Sequence, residues 1–391
     1  MKTRDRFSAL LIVRLDLLGV AGLPRLLHAA GCEVTLFAPA RVAVAHSRFL
    51  RRHLVASPSS EALIEELAAH LATHRREYDW IILGDETLLQ EIAEKKRGSW
   101  LADWFPVDYQ SRSVELITSK FDFLQAAADA GLPVPRFRFC RTAEEARRLA
   151  DEFGFPLILK QPTSMAGSGV RKVWGHGDLA LQFAQISGGE SVMVQQCALG
   201  RRGQTEVLFD RGRPVCWESS YTVRSWPTEL AASCVRELMT HPGIEPMLQG
   251  IGELTGFHGL GGVDWMHDPE TGALSLIEFN ARPTPGCYSM QMFADSVRES
   301  LAGVAVVHRP SSSLAGLKIH MFPQSVYQAI DDRNPGMLLR ACANLPFSDP
   351  GLLLALFQRV IGHYVPPRAR QRIKEWAGAA SGATTILGTL G

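Results

Sequence analysis

Three polar side chains at alternate positions follow a mainly apolar segment within residues 274–286. They are Glu278, Asn280 and Arg282, and alternate residues of a β-strand point to the same face. A carboxylate, an amide oxygen and a guanidinium would therefore line one surface. Two oxygen ligands beside a fixed cation suit a magnesium ion that carries phosphate groups. The pattern predicts phosphoryl chemistry.

An upstream carboxylate, Asp264, completes a candidate metal site with Glu278 and Asn280. The sequence predicts two strands that are joined by a turn at 268–272. Antiparallel pairing across that turn brings the three oxygen donors onto one face. The alternative is a set of solvent-facing groups on an exposed sheet, which is the usual environment of Asp and Glu. We favour the metal site and predict that it binds Mg²⁺, with Mn²⁺ as the alternative ion.

Two lysines are placed to contact phosphate groups. Lys160 ends the apolar strand predicted at 155–160, from which its ammonium could reach phosphates held by a neighbouring loop. Lys120 opens a predicted helix, where the positive end of the helix dipole disfavours a cation and suggests an external anion. Taken alone, either lysine is more commonly a solvated surface group.

The loop at 163–169 is rich in small residues. Small residues let backbone N–H groups close over phosphate oxygens, and serine hydroxyls add donors. No Gly-Lys-Ser/Thr follows, so the loop is not a Walker A motif, and a flexible turn is an equal alternative. The candidate phosphate-binding residues of this loop are Ser164, Gly167, Ser168 and Gly169.

Two further segments carry polar groups that could hold a ligand. Gln195, Gln196 and Cys197 end a predicted strand, whose backbone could hold the edge of a base, although a buried strand end is an equally good account. Arg236 is a candidate second clamp for a phosphate or a carboxylate. The alternative for Arg236 is an arginine on the surface of a helix.

Composition limits the partners and the compartment. The chain has 391 residues and a formal net charge of +1, which gives no argument for nucleic acid or for an acidic membrane surface. Its seven cysteines are widely spaced without a Cys-x-x-Cys pair, which favours a reducing compartment over a disulfide framework. Arg14 and Asp16 break the first apolar run, so it reads as a strand and not as a signal peptide, and no stretch approaches the ~20 apolar residues of a membrane span. We expect a soluble cytoplasmic protein with small-molecule partners, and we allow for a homodimer.

Strands that alternate with helices over roughly the first 110 residues predict a parallel, doubly wound α/β unit. The Gly-x-Gly-x-x-Gly spacing of a dinucleotide site is missing after its first strand. Residues 114–150 predict two helices with an interruption at 131–135 and a capping box between Thr142 and Glu145. In the C-terminal part, helices are predicted at 335–343, 350–362 and 367–377.

In this order, the motifs resemble the ATP-grasp superfamily of carboxylate–amine (or thiol) ligases. The resemblance spans roughly residues 5–310, and Glu-x-Asn-x-Arg is its most specific element. It implies an α/β and α+β fold with an N-terminal parallel α/β (pre-ATP-grasp) domain at 1–113, an ATP-grasp domain at 114–310 and a mainly helical C-terminal extension at 311–391. The small lobe would cover about 120–195 and the large lobe about 196–310. The segments that carry the resemblance are 120–124, 131–135, 155–160, 192–197, 262–264 and 276–282.

The resemblance implies how the nucleotide would be held. Lys120 and Lys160 would contact the phosphates of ATP, and the loop 164–169 would close over them. The segment 194–197 would hold adenine between the two lobes. Because the chain has glutamines in that segment where the family often has a glutamate, Glu206 is the candidate for the ribose contact.

The resemblance also assigns the catalytic groups. The three oxygen donors of the candidate metal site would bind Mg²⁺, and Arg282 would stabilise an acyl phosphate and its transition state. Some ligases place an arginine where this chain has Gly262, and Arg236 is the candidate to supply that charge.

The function implied is ATP-dependent ligation. A substrate carboxylate would be activated as an acyl phosphate and coupled to an amine, with release of ADP and phosphate. Two alternatives stay open: a nucleotide-binding regulatory or scaffold protein without turnover, and an ATP-dependent carboxylase or kinase of the same fold.

Overall fold

Three β-sheets with flanking helices make up the architecture. The computed structural model describes residues 6–95, 98–161, 169–189, 191–286, 289–304, 309–310 and 314–364. Along the chain, a parallel sheet comes first, and a small antiparallel sheet and a larger, mainly antiparallel sheet follow.

The N-terminal unit is a parallel sheet with helices on both faces. Its elements are β1 (Phe7–Ile12), α1 (Leu23–Ala29), β2 (Cys32–Ala38), β3 (Leu50–Val55), α2 (Ser60–His74), β4 (Trp80–Leu83) and α3 (Glu86–Lys95). The strand order is β3-β2-β1-β4, with parallel pairing throughout. Leu10 of β1 packs with α2 and α3, whereas Leu11 packs with α1, so the predicted doubly wound unit is confirmed. The edge strand β3 was not predicted, because its arginines and histidine leave no apolar run.

The second unit is a four-stranded antiparallel sheet covered by helices on one face. Helices α4 (Ser113–Thr118) and α5 (Lys120–Asp129) precede it in the chain and pack against α8. The elements of the unit are β5 (Phe137–Cys140), α6 (Ala143–Phe153), β6 (Leu157–Lys160), β7 (Val170–Val173), α7 (His176–Ser187) and β8 (Val192–Gln196). The strand order is β5-β8-β6-β7. The predicted capping box is confirmed, since the Thr142 hydroxyl accepts from the Glu145 backbone N–H and the Glu145 carboxylate accepts from the Thr142 backbone N–H. Strand β5 was not predicted, because it has only four residues between two helical patterns.

The largest sheet carries the predicted metal hairpin. Its elements and their helices are β9 (Arg201–Asp210), β10 (Arg213–Ser225), β11 (Ser233–Met239), α8 (Ile244–Thr255), β12 (Gly259–His267), β13 (Leu274–Asn280), α9 (Met290–Leu301) and β14 (Arg309–Pro310). The order begins β13-β12-β9-β10-β11, and β14 pairs with β10. The hairpin of β12 and β13 confirms the antiparallel pairing that was expected across residues 268–272.

The described C-terminal residues are mainly helical, as predicted, but they also complete the large sheet. Their elements are β15 (Lys318–His320), α10 (Gln324–Asp331), α11 (Pro335–Cys342) and α12 (Pro350–Tyr364). Strand β15 pairs antiparallel with β11. The helix that was predicted at 367–377 lies outside the described residues.

Among the described residues, no helix combines the length and the apolar character that a bilayer crossing needs.

Candidate active site

The hairpin of β12 and β13 brings Asp264, Glu278 and Asn280 onto one face. Asp264 lies directly opposite Glu278 in the β12–β13 register, and Gly262 lies opposite Asn280. Directly paired residues of an antiparallel ladder share a face, so the three donors are neighbours. The Asn280 amide Nδ2 lies 3.4 Å from the Asp264 Oδ2 atom.

The charge of Glu278 acts on the neighbouring Asp264 carboxylate. Burial and then the charge of Glu278 raise the pKa of Asp264 to about 6. A cation between the carboxylates would relieve that repulsion. The described residues contain no group of three or more His, Cys, Asp and Glu side chains placed to bind a metal. Mg²⁺ does not need one, because it is commonly held by one or two carboxylates together with substrate phosphates and water.

A network of alternating charge joins the N-terminal unit to the hairpin. The Lys120 ammonium lies 2.7 Å from the Glu278 carboxylate and 3.5 Å from that of Glu86. The Arg282 guanidinium lies 3.1 Å from the Glu86 carboxylate and 3.4 Å from the Asn280 amide oxygen. Burial alone would lower the pKa of Lys120, but the charges of Glu278 and Glu86 raise it above its usual value. Lys120 and Arg282 are therefore cationic and held on either side of Glu86.

The small antiparallel sheet carries Lys160, which interacts electrostatically with Lys120 and with the carboxylates of the hairpin. Met193 pairs with Lys160 and Gln195 pairs with Ile158, so these side chains share one face of the sheet. The opposite face packs on α6 and α7. The pKa of Lys160 is lowered to about 8, mainly by burial and also by the charge of Lys120, while the charges of Glu278 and Asp264 act in the opposite direction. The charges of the hairpin therefore act on a lysine that is carried by a separate sheet.

The predicted base-binding segment ends strand β8. Gln195 is 2% exposed, and its Nε2 atom has no hydrogen-bond partner among the described residues. Gln196 is exposed and Cys197 is half-buried. A buried amide without a hydrogen-bond partner costs free energy unless a ligand or water accepts the missing bond. Gln195 therefore offers a polar contact on the face of the sheet that also carries Lys160.

Most of the predicted phosphate loop lies outside the described residues. Ser164, Gly167 and Ser168 lie outside the described residues. Gly169 is described, and its carbonyl oxygen accepts a hydrogen bond of 3.0 Å from the Gln161 backbone N–H.

Arg236 and Glu206 form a buried pair, which corrects two expectations. Arg236 lies on strand β11, not on a helix, and is 4% exposed. Its guanidinium donates to the Glu206 carboxylate at 2.7 Å, to the Pro285 carbonyl at 2.8 Å and to the Gln204 amide oxygen. Glu206 is 2% exposed, so it is not an accessible ribose contact in this structure. Burial raises the pKa of Glu206 to about 7, although Arg236 acts to lower it.

The space beside Gly262 is taken by the segment that follows Arg282. A Cβ atom at Gly262 would meet the Thr284 hydroxyl oxygen at 2.5 Å. Arg236 donates to the Pro285 carbonyl of this same segment. Its guanidinium therefore holds the segment beside Gly262, the strand position where some ligases have an arginine.

Glu86 is the residue that sequence reasoning missed. It begins α3, just beyond the carboxyl end of β4, and is 8% exposed. One signal was available, because ligands of open α/β sheets bind outside the carboxyl ends of the strands. A carboxylate at that edge was therefore a candidate, although its partner Arg282 is 196 residues away.

Sequence comparison finds relatives over part of the chain. No family model matches it. A formate-dependent phosphoribosylglycinamide formyltransferase from Corynebacterium jeikeium is 29% identical over 157 residues, which are 37% of this chain and 36% of the relative. The chain thus spans about a third of the length of that enzyme.

Solved structures match over most of the chain. An N5-carboxyaminoimidazole synthetase from Staphylococcus aureus, solved with ADP, superposes with a TM-score of 0.63 and 15% identity over 86% of this chain and 87% of the other. An L-amino acid ligase from Bacillus licheniformis gives a TM-score of 0.55 and 16% identity over 76% of this chain and 75% of the other. At such low identity, the likeness establishes the fold.

Proposed function

Because the chain has the ATP-grasp fold, we propose that it is an ATP-dependent, ADP-forming ligase that joins a carboxylate to an amine. The observation that carries the proposal is the convergence of charged groups from three separate units. Lys160 comes from the small sheet, Glu86 from the N-terminal unit, and the hairpin supplies Asp264 and Glu278. Such an arrangement matches phosphoryl transfer, in which catalysis consists of positioning and charge stabilisation.

The residues present fit ATP and magnesium. The hairpin offers two carboxylates and an amide oxygen, which is the hard-oxygen donor set that Mg²⁺ prefers. The unsatisfied Gln195 amide, on the face that carries Lys160, fits a polar group of the nucleotide. We infer that Lys120 and Lys160 hold the phosphates and that residues 194–197 hold the base. When bound, magnesium would neutralise phosphate charge.

In the first step, an oxygen of the substrate carboxylate attacks the γ-phosphorus of ATP, and the bond to the β-phosphate oxygen breaks. Lys120, Lys160 and Arg282 neutralise the charge that spreads over the transferred oxygens. Glu86 orients Arg282 through the 3.1 Å ion pair and so keeps the guanidinium towards the hairpin.

In the second step, the amine nitrogen attacks the acyl carbon, the bond to the phosphate oxygen breaks and the nitrogen releases a proton. Arg282 stabilises the departing phosphate. No covalent enzyme nucleophile is required, so the chain supplies positioning and charge. We propose a reducing, cytoplasmic setting for this activity. All six described cysteines are free thiols, which is consistent with such a setting.

The test is ADP release from Mg-ATP by the full chain. Pooled amino acids, other carboxylates, amines and bicarbonate are added, and active pools are divided. We expect ADP only when both a carboxylate and an amine are present, with an amide as product. ADP release with bicarbonate alone as the acid would indicate the carboxylase alternative. Nucleotide binding without turnover in every pool would support the regulatory alternative.

ATP binding is expected to weaken above about pH 8. Burial lowers the pKa of Lys160 to about 8 in the free protein, and the phosphates bind the protonated ammonium. Above that pH, binding requires proton uptake, so the dissociation constant should rise towards roughly tenfold per pH unit. The measurement is calorimetric titration with ATP between about pH 7 and pH 10.

Two lysine-to-arginine variants are matched controls for this result. Lys160→Arg should remove the pH dependence, because a guanidinium stays charged over the whole range. Lys120→Arg should retain it, because the charges of Glu278 and Glu86 already raise the pKa of Lys120. The same slope in wild type and Lys160→Arg would contradict the assignment of Lys160.

A further inference from the structure

A cavity of about 180 Å³ lies where three parts of the chain meet. Helix α1 and the loop before it form one wall, residues 284–286 form the second, and the C-terminal segment forms the third. An engineered cavity of about 150 Å³ in another protein binds benzene. This space is therefore large enough for one aromatic or branched aliphatic side chain.

The lining of the cavity is mainly apolar. No Lys, Arg, Asp or Glu is among the described residues that line it. A phosphate monoester would need cationic partners or several N–H donors, so a nucleotide-like substrate does not suit this space. The apolar contacts come from Leu18, Leu23, Leu26, Met290, Leu352 and Leu356.

Two buried polar atoms in the lining lack partners. The Thr284 hydroxyl and the His320 Nδ1 atom have no hydrogen bond to any described residue. Thr284 is 7% exposed. The Thr284 hydroxyl lies on the side of Gly262, so the apolar side chains define the cavity.

The C-terminal wall is fixed to the N-terminal unit. The buried Asp349 carboxylate accepts from the Ser47 hydroxyl and, at 3.0 Å, from the Arg48 backbone N–H. Arg359 donates to the Asp16 carbonyl at 2.8 Å. Helix α12, which supplies Leu352 and Leu356, is therefore held against the loop after β1.

The cavity is continuous with the segment that follows Arg282. Gly19 lies so close to that segment that a Cβ atom would meet the Pro283 carbonyl oxygen at 2.6 Å. Thr284, two residues after Arg282, lines the cavity. A molecule that fills the cavity would therefore lie beside the segment that follows Arg282.

We propose that this cavity binds the apolar side chain of one of the two substrates, a side chain of branched aliphatic or single-ring size. The inference rests on the proposed ligase function and names the substrate class for that site. The C-terminal segment then has a defined role, because it supplies the third wall of the specificity pocket.

The experiment measures ADP release by the full chain with Mg-ATP and matched substrate panels. Leucine and phenylalanine are compared with serine, aspartate and lysine. 4-Methylvalerate and 3-phenylpropionate test whether the apolar group belongs to the carboxylate substrate. Isoamylamine and phenethylamine test whether it belongs to the amine substrate. We expect kcat/KM at least about tenfold higher for apolar members, since one methylene in such a pocket already changes it about 10- to 200-fold.

Gly22→Leu tests the cavity without straining the fold. Gly22 lines the cavity, its φ and ψ of −83° and −13° suit any L-residue, and a Cβ atom there meets nothing within 4 Å. The leucine should raise KM for the apolar substrate at least about tenfold and leave KM for ATP unchanged. Gly177→Leu is the matched control, because a Cβ atom there is also unobstructed and position 177 is exposed on α7.

The outcomes separate the cavity from the ligase function. Two results would overturn the inference and leave the ligase proposal standing. One is a kcat/KM for charged or small polar substrates that equals that for apolar substrates, and the other is an unchanged KM for the apolar substrate in Gly22→Leu. If no pair releases ADP, the ligase proposal fails. Calorimetric titration with 4-methylvalerate and phenethylamine then tests the cavity by itself: binding that Gly22→Leu weakens supports it, and absence of binding at millimolar concentration overturns it.

Discussion

Glu278→Gln is expected to lower the rate of ATP-dependent turnover by about 10²–10³-fold or more, with little change in thermal stability. The substitution keeps the size of the side chain and an oxygen that can accept from Lys120, which lies 2.7 Å from the carboxylate. It removes one of the two negative charges on which the proposed magnesium site depends. Turnover is measured by ADP release, and the magnesium concentration that gives half-maximal rate should rise in the same variant.

Glu270→Gln is the matched control for that variant. Glu270 belongs to the turn between β12 and β13, is exposed, and undergoes the same chemical change. Its turnover, magnesium requirement and thermal stability should equal those of the wild type. Full activity in Glu278→Gln at low magnesium would mean that the hairpin does not bind the metal.

Arg236→Met is expected to lower the free energy of unfolding by about 3–5 kcal/mol at pH 8. The variant leaves the Glu206 carboxylate buried without its partner and leaves the Pro285 carbonyl and the Gln204 amide without their donor. Urea unfolding measures the loss. Arg213→Met is the control, because Arg213 is 71% exposed and its contact with Asp210 is 3.7 Å long, so the change should stay within about 0.5 kcal/mol.

The loss in Arg236→Met should depend on pH with a definite sign. Burial raises the pKa of Glu206 above that of an unfolded glutamate even with Arg236 present, and removal of the arginine raises it further. The contribution of Glu206 to the free energy of unfolding is therefore fully present below about pH 4.5. It is lost as the pH rises through the pKa of Glu206 in the folded state. We expect the variant to be closer to wild type at about pH 5 than at pH 8. A pH-independent difference would contradict the buried pair.

The double variant Glu206→Leu/Arg236→Met separates a structural role from a catalytic one. Replacing both members of a buried ion pair with apolar groups is often neutral for stability. If Arg236 serves only as the partner of the buried Glu206 carboxylate, turnover should recover largely together with stability. A stable double variant without turnover would show that the reaction needs the guanidinium itself, through its charge or through its hydrogen bond to Pro285.

The sequence predicted the hairpin of β12 and β13 because all of its determinants are local. A two-residue period places Glu278 and Asn280 on one face, and a short turn pairs their strand with the strand of Asp264. The same reasoning found the doubly wound unit and the capping box at Thr142. Each of these features depends on residues that are close in the chain, so a single sequence contains the information.

Arg236 shows where local pattern misleads. The segment 233–239 carries Arg236 and Glu237 among apolar residues, which allows a helix surface as readily as a strand. The structure places it between β10 and β15, and β15 comes from the C-terminal part of the chain. Pairing on both edges buries the arginine, and no local signal indicates that second neighbour.

The sequence by itself determined the kinds of groups that could do chemistry and the order in which they occur: two lysines, then two carboxylates, an amide and an arginine. Tertiary structure decided which of them meet, because Glu86 reaches Arg282 across 196 residues and helix α12 closes a cavity that begins at Leu18. Such contacts depend on how sheets and helices pack against one another. Packing follows from the shape of whole surfaces, to which a residue's sequence neighbours contribute little.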